Sequence, residues 1–361
     1  MIPSMRPTDG RRAALLRSLG RTGTARLTDL AHELDVSIAT VRRDVGVLGR
    51  QDRLIRRHGS VELSVTGSST HRVGRNGLAP AIGMMHSENR YLGLIAQAAR
   101  RDAERRDHRF LTERVESAAQ AHAAARRLIA DGCVGIIYAP QWRSDAEMRD
   151  PTPWLLEMEV PVMLGGRDVG PDHPLFVLDS VIADHAYGFR KALDHLQQLG
   201  HIRIMASFHE ESPPGRLLRR EYFEQLAQRG LPQVAEPLVT PETLDSLAVE
   251  RMVQGIVYAR ATAIVVHTDI FAQQLVPALR SAGVQVPHDV SVIAYDDIVT
   301  PEVDLALTSI SPPKHPLGVE AVALLLRRHR LSRAGLSPPP VAHVRLLPEL
   351  IIRTSTGGAP D

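Results

Sequence analysis

Residues 27–59, LTDLAHELDVSIATVRRDVGVLGRQDRLIRRHG, constrain this chain more than any other stretch, because two short amphipathic segments, a tight turn and a basic hairpin follow one another within one small module. Leu30, Ala31 and Leu34 fall on one face of a first helix, for which Thr28 is placed as the N-cap. Asp35 and Val36 make the turn. Ser37 can cap a second helix, on which Val41, Val45 and Leu48 recur at helical spacing and define a buried stripe. At about 100° per residue, Ala39, Arg43 and Gly46 point the opposite way, with Thr40 and Arg42 on the flanks. A helix that buries one side and offers Arg, Thr and small residues on the other suits the major groove, where arginine addresses guanine edges or phosphates and small residues allow close approach. Leu54 to Val61 read as strand, turn and strand, a basic wing over the phosphates. The expected DNA contacts are Ser37, Ala39, Thr40, Arg42, Arg43, Arg56, Arg57 and His58. Asp44 is expected to orient an arginine through an ion pair, since phosphate would repel an acid at the duplex.

The same residues resemble the winged helix of the DeoR family, with its "eLA..L.VS..TiRRDL..L" run followed by "R.HGG". Here stand Asp29-Leu30-Ala31, Leu34, Val36-Ser37, Thr40-Val41-Arg42-Arg43-Asp44-Val45 and Leu48, then Arg56-Arg57-His58-Gly59-Ser60, with Ser60 in place of the second wing glycine. The resemblance covers about the first 65 residues.

At 361 residues the chain can bury more than one core, and its charge is divided unevenly. Residues 1–75 hold 14 Arg and 7 acids, a net of +7, so the overall +2 leaves the remainder at −5. A basic head precedes an acidic body. The lone cysteine, Cys133, lies in the apolar run Gly132 to Ile137, which excludes a disulfide scaffold or cysteine-rich zinc site and suits a core thiol. The N-terminus lacks an apolar secretion signal, and no segment reaches ~18 uninterrupted apolar residues. The expectation is a cytoplasmic protein with no membrane partner, no cofactor and no metal.

Residues 64–79 are rich in Gly, Ser and Thr and read as a linker between a head at 1–63 and a body at 80–356. In the body, apolar runs alternate with amphipathic segments. Ala81 to Met85, Val134 to Tyr138, Val160 to Leu164, Ile202 to Ala206, Ala263 to Val266 and Val292 to Tyr295 read as strands. Leu92 to Glu104, Ala118 to Ala130, Ile182 to Gln198, Tyr222 to Arg229, Phe271 to Ala282 and Leu317 to Arg328 read as helices. This alternation predicts an α/β body of parallel sheets flanked by helices, with ligands at the carboxyl ends of the strands. Those ends carry His86, Ser87, Asn89, Trp142, Arg167, Asp269 and Asp296. Carboxylates and arginines that grip hydroxyls, with an indole to stack on a sugar face, fit a neutral or weakly charged polyol better than a nucleotide.

The body resembles the effector domain of the lactose-repressor (LacI/GalR) family. Val286 to Asp297 is similar to "vP.disviGfDd", Leu317-Gly318 to "lG", Leu347 to Thr356 to "L.peLivR.ST", Leu196 to Ile204 to "L..lGHrrI", and Val177 to Ser180 to "V.vDn". The resemblance spans about 80–356 and implies a two-lobed, periplasmic-binding-protein-like (type I) module, crossed three times by the chain, that clamps a small ligand and dimerises. It implies ligand roles for Asp269, Asp296 and Arg167. The arginine of "R..Gf" is displaced, with Leu218 at its place and Arg216, Arg219 and Arg220 as candidates; Arg219 joins the effector set. The aromatic pair of "npff" becomes Arg90-Tyr91, and Asp179 is expected to cap the helix that follows it. Together, head and body imply a homodimeric DNA-binding regulator, a repressor of carbohydrate uptake or catabolism genes released from a double-stranded operator by a sugar-type effector. The alternatives are a sugar-phosphate-processing enzyme, against which the absence of GxSxG, HExxH, Walker and GxGxxG motifs weighs, and a sugar sensor with a head that binds no DNA.

Overall fold

The computed structural model describes residues 11–12, 14–16, 18–19, 24–50, 54–57, 60–63, 79–149, 152–240, 246–298 and 306–360. Two compact units emerge, Met1–Pro80 with Leu324–Val341, and Ala81–Ala323 with Ala342–Asp361.

In the first unit, the helices Leu27–Glu33 and Ile38–Arg50 are joined by a turn in which Asp35 takes a left-handed φ of 49°. Leu30, Ala31, Val41, Val45 and Leu48 are buried together with Leu15, Leu16, Leu19 and Val61, so the apolar stripe read from the sequence is the core of this unit. Ser37 caps the second helix, its Oγ accepting from the Thr40 N–H at 3.2 Å. Thr28 does not cap the first. The strand Thr24–Arg26 runs straight into the helix, Arg26 holds the cap position without a side-chain bond, and the Thr28 hydroxyl donates to Asp29 at 3.1 Å. Burial of Leu27 explains the earlier start, because it draws that residue into the helix. The strands Leu54–Arg57 and Ser60–Leu63 form the predicted antiparallel hairpin, and Thr24–Arg26 pairs on the other side of Ser60–Leu63 to complete a three-stranded sheet. His58 and the expected linker, apart from Ala79, lie outside the described residues. Leu336 packs against the same core, which is why part of the sequence assigned to the body groups with this unit.

The second unit is built from two six-stranded sheets, each flanked by helices. The first sheet runs His343–Leu346, Asp179–Ala183, Val162–Gly165, Cys133–Ala139, Ala81–His86 and Arg109–Arg114, all parallel. The second runs Leu238–Val239, Ile204–Phe208, Ala263–Val266, Ser291–Tyr295, Thr308–Ser311 and Glu349–Ile351, with only the last pair antiparallel. The chain passes between sheets after Ala183, after Ser311 and after Leu346, which are the expected three crossings. Central strands such as Ala263–Val266 and Ser291–Tyr295 are buried at every position, as continuous apolar runs between helical layers require.

Two expectations change here. The helix expected from Ile182 begins at His185, because Asp179–Ala183 is a strand and Asp184 supplies the cap, accepting from the Tyr187 N–H at 2.8 Å. Asp179 is therefore no helix cap; its Oδ1 accepts from the Ala342 N–H at 2.9 Å and ties the returning chain to the sheet. The "R.ST" ending also finds its reason. Ser355 is fully buried, receives the Thr308 N–H at 2.8 Å and donates to the Val292 carbonyl at 2.6 Å.

Candidate functional site

Two surfaces carry the residues singled out by the sequence. On the second helix of the head, Ser37, Ala39, Arg42, Arg43 and Gly46 are exposed and Thr40 is half-buried, opposite Val41, Val45 and Leu48. Among the described residues nothing buries this polar face. Asp44 is 2% exposed and receives Arg11 Nε at 2.6 Å and Arg12 Nε at 3.0 Å. Burial alone would raise its pKa, but the two guanidinium bonds prevail and hold it below the usual carboxylate value. Asp44 therefore fastens the helix from behind, in keeping with the ion pair expected of it. Ile38 was not singled out, because its spacing from Val41 continues the apolar stripe, yet it is 39% exposed at the start of the helix. Arg56 and Arg57 lie on the first hairpin strand, and Arg57 is in register with Ser60.

In the body, strand ends from both sheets meet around Arg167, Tyr91 and Asp296. Arg167 follows Val162–Gly165, and Gly166 at φ 67° makes the left-handed step that turns it back into the protein. It is 4% exposed, and its Nε and Nη1 donate to the carbonyls of Pro140 and Gly166, each at 2.8 Å. Burial pulls the Arg167 pKa down to about 10, and the Arg216 charge adds to this. Tyr91 lies in the first turn of the helix Arg90–Arg105; its buried hydroxyl has no hydrogen-bond partner among the described residues. Burial raises its pKa, with Asp296 acting in the same direction and Arg167 against it, so all three groups share one electrostatic environment.

Asp296 and Asp297 both sit at positive φ, 90° and 51°. Left-handed backbone at two successive non-glycine residues costs of order 1–3 kcal/mol each, the kind of strain that persists at ligand sites. Asp296 is 9% exposed, and burial pushes its pKa up to about 7, with nearby Asp269 adding to the rise and Lys314 opposing it. The Lys314 ammonium donates to the Asp296 carbonyl, and Arg353 pairs with Asp297 at 2.8 Å. Behind Asp296, the Tyr295 hydroxyl and His185 Nδ1 are 2.7 Å apart, and the His267 ring packs edge-on to Tyr295. Burial first, then neighbouring positive charge, takes the His185 pKa down to about 4 and that of His267 to about 3.

The other candidates are placed differently. Asp269 is 3% exposed, and its carboxylate accepts from the Ile270 N–H at 3.1 Å and the Ile298 N–H at 2.6 Å. Asn89 caps the helix Arg90–Arg105 by accepting from Leu92 N–H. Ser87 donates to Gln141 at 3.0 Å, and His86 Nδ1 lies 2.7 Å from the Ser87 carbonyl oxygen. Trp142 is 5% exposed within the apolar core of the first lobe, tilted against His173. Arg219 pairs with Glu210 at 3.0 Å and lies over the Phe223 ring. Arg216, one of its two rivals for the displaced family arginine, reaches from the second lobe to Asp145 at 2.9 Å and to the Trp142 carbonyl at 3.0 Å in the first. The residues that sequence reasoning missed are Tyr91, His185, Tyr295 and Lys314. Tyr91 alone left a signal, standing in the aromatic position after Asn89.

Residues 11–66 match the family described as DeoR-like helix-turn-helix domain, and residues 193–356 match Periplasmic binding protein-like domain. The HTH-type transcriptional regulator reg1 of Streptomyces lividans is 26% identical over 355 residues, 93% of this chain and 98% of that protein. HTH-type transcriptional regulator DegA of Bacillus subtilis is 29% identical over 191 residues, 52% of this chain and 55% of DegA. The arabinose metabolism transcriptional repressor of Geobacillus stearothermophilus is 30% identical over 201 residues, 54% and 53% of the two chains. The chain thus spans about half the length of these last two relatives. Among solved structures, a LacI family transcriptional regulator from Enterococcus faecium with bound ribose has a TM-score of 0.60 at 22% identity, covering 77% of this chain and 98% of that one. The Escherichia coli transcriptional repressor ascG has a TM-score of 0.62 at 24% identity, covering 77% and 99%. One chain therefore joins an N-terminal helix-turn-helix domain to a periplasmic-binding-protein-like fold.

Proposed function

We propose that this chain is a ligand-responsive transcription repressor that acts in the cytoplasm as a homodimer, with a sugar-type effector releasing it from operator DNA. The observation that carries the reading is the pairing, in one chain, of an exposed Ser37-Ala39-Arg42-Arg43 helix face with a two-lobed body whose strand ends bury Arg167, Tyr91 and Asp296. In this reading Arg43 addresses base edges, Ala39 and exposed Ile38 offer apolar contact to thymine methyls, and Arg56, Arg57 and His58 are the residues expected to meet phosphates. Effector binding favours one arrangement of the two lobes over another, and the population shift changes how two heads meet their half-sites. Relatives bearing names of transcription regulators support this over the enzyme reading.

The test is a gel shift on the DNA flanking the gene, run over a range of salt with and without a panel of sugars. Operator binding that weakens with one sugar supports the proposal. A protein that binds no specific DNA at any salt overturns it in favour of an enzyme or a sensor with a different head.

A further inference from the structure

We infer that the effector is a polyhydroxy compound carrying one anionic group, a carboxylate or a phosphate, and that the anionic end is held by Arg167 and the Tyr91 hydroxyl. This rests on the effector reading of the body and narrows its ligand class.

Arg167 is a buried cation whose protein partners are two neutral carbonyls, Pro140 and Gly166. Among the described residues no carboxylate pairs with it, and the charged group that acts on it most after burial, apart from the phenol of Tyr91, is a second cation, Arg216. Its Nη2 is bonded to no described protein atom. A guanidinium taken out of water is stable only when an opposite charge or a full set of acceptors compensates it, and two carbonyls leave most of its five donors unanswered. Beside it stands a second unanswered donor, the Tyr91 hydroxyl, in a residue that is only 6% exposed. Tyr91 belongs to the first turn of the sixteen-residue helix Arg90–Arg105, the end at which a helix carries its partial positive charge. Guanidinium, phenol and helix terminus are all donors to an anion. The acceptor beside them is Asp296, which the second sheet supplies and which acts electrostatically on the same Tyr91 hydroxyl. Hydroxyls directed toward Asp296 and an anion directed toward Arg167 satisfy both groups at once. A neutral sugar leaves the Arg167 charge without a counter-charge.

Calorimetry on the full-length protein decides the matter with two matched series: D-glucose, D-glucuronate and D-glucose 6-phosphate; and D-galactose, D-galacturonate and D-galactose 6-phosphate. At least one anionic member should bind tenfold or more tightly than its neutral parent, and the uronate and phosphate arms separate carboxylate from phosphate. Arg167→Gln should reduce that preference to less than about threefold. Tyr91→Phe keeps the ring and removes only the orphan hydroxyl, so it gives a second reading should Arg167→Gln fail to fold; here the preference should fall severalfold. A neutral parent that binds as tightly as its anions overturns the inference, as does a preference that survives both substitutions or a lack of binding in every arm. Operator titration in parallel keeps the two readings apart. Neutral sugars that release operator leave the repressor standing without the anion, whereas anion binding by a protein with no operator leaves the anion site standing without the repressor.

Discussion

At the scale of single residues, position on a helix or strand end sorts those facing a partner from those that hold the chain. Arg43 is exposed opposite the buried stripe, so Arg43→Ala is expected to lower specific operator affinity by about 1–3 kcal/mol and to relax base preference, measured by titrating operator variants. The two acids of the cleft should separate. Asp269 satisfies the backbone N–H groups of Ile270 and Ile298, and Asp269→Ala would leave both without that acceptor, for a stability loss of about 2 kcal/mol in denaturant melts. Asp296 is strained, buried and close to the orphan Tyr91 hydroxyl; Asp296→Ala should instead weaken the effector while operator binding without effector persists. Equal stability losses from the two substitutions would contradict this division. Asp269 was legible as a strand-end acid but not as a backbone clamp, because the second N–H it accepts from is that of Ile298, on the loop after the neighbouring strand.

At the scale of elements, arginines give the hairpin and the helix Pro213–Arg229 one prediction each. Replacing both Arg56 and Arg57 by Ala should weaken binding to all DNA sequences and make the slope of log K against log salt shallower by about 1–2 units, since each phosphate contact releases roughly one counterion. An unchanged slope would place the hairpin off the DNA. Arg216 is the side chain by which Pro213–Arg229 reaches across to the first lobe. Its Asp145 partner is largely exposed, so water screens the pair, and about 1 kcal/mol in favour of this arrangement of the lobes is a reasonable size. Arg216→Ala should enlarge the radius of gyration without effector and weaken effector binding by several-fold. Scattering curves identical to the parent's would show that the lobes are held by other contacts.

Across the whole body, buried ionisable groups set the response to pH. His185 and His267 titrate at about 4 and about 3 when folded against an ordinary value of 6.5, so the unfolded chain binds their protons first and stability falls as pH drops below 6.5. Asp296 works the other way: folded at about 7 against 3.8, it holds a proton that the unfolded chain lacks, and acidification stabilises the fold between those values. Two histidines outweigh one carboxylate by roughly one proton, or about 1.4 kcal/mol per pH unit near the middle of the window, and His195 and His201, whose pKa values burial also lowers, add to the loss in the same sense. The body's melting temperature should therefore fall between pH 6.5 and 4.5, and His267→Gln should flatten that fall; a melt independent of pH would contradict the burial of these rings. The sequence alone determined the helix-turn-helix and its two faces, the alternation that makes parallel sheets, and which residues fall at the strand ends, because helical and strand periodicity are local properties of the chain. Edge strands such as Arg109–Arg114 and His343–Leu346 stayed hidden, since a strand with one neighbour can be polar and loses its apolar signature. Only the tertiary structure decided which strand-end residues serve as caps and clamps, that Leu336 belongs to the head's core, and that, among the described residues, Arg167 lies buried without an acid and the Tyr91 hydroxyl without a partner. Each of these depends on what residues distant in sequence bring alongside, and no periodicity records that.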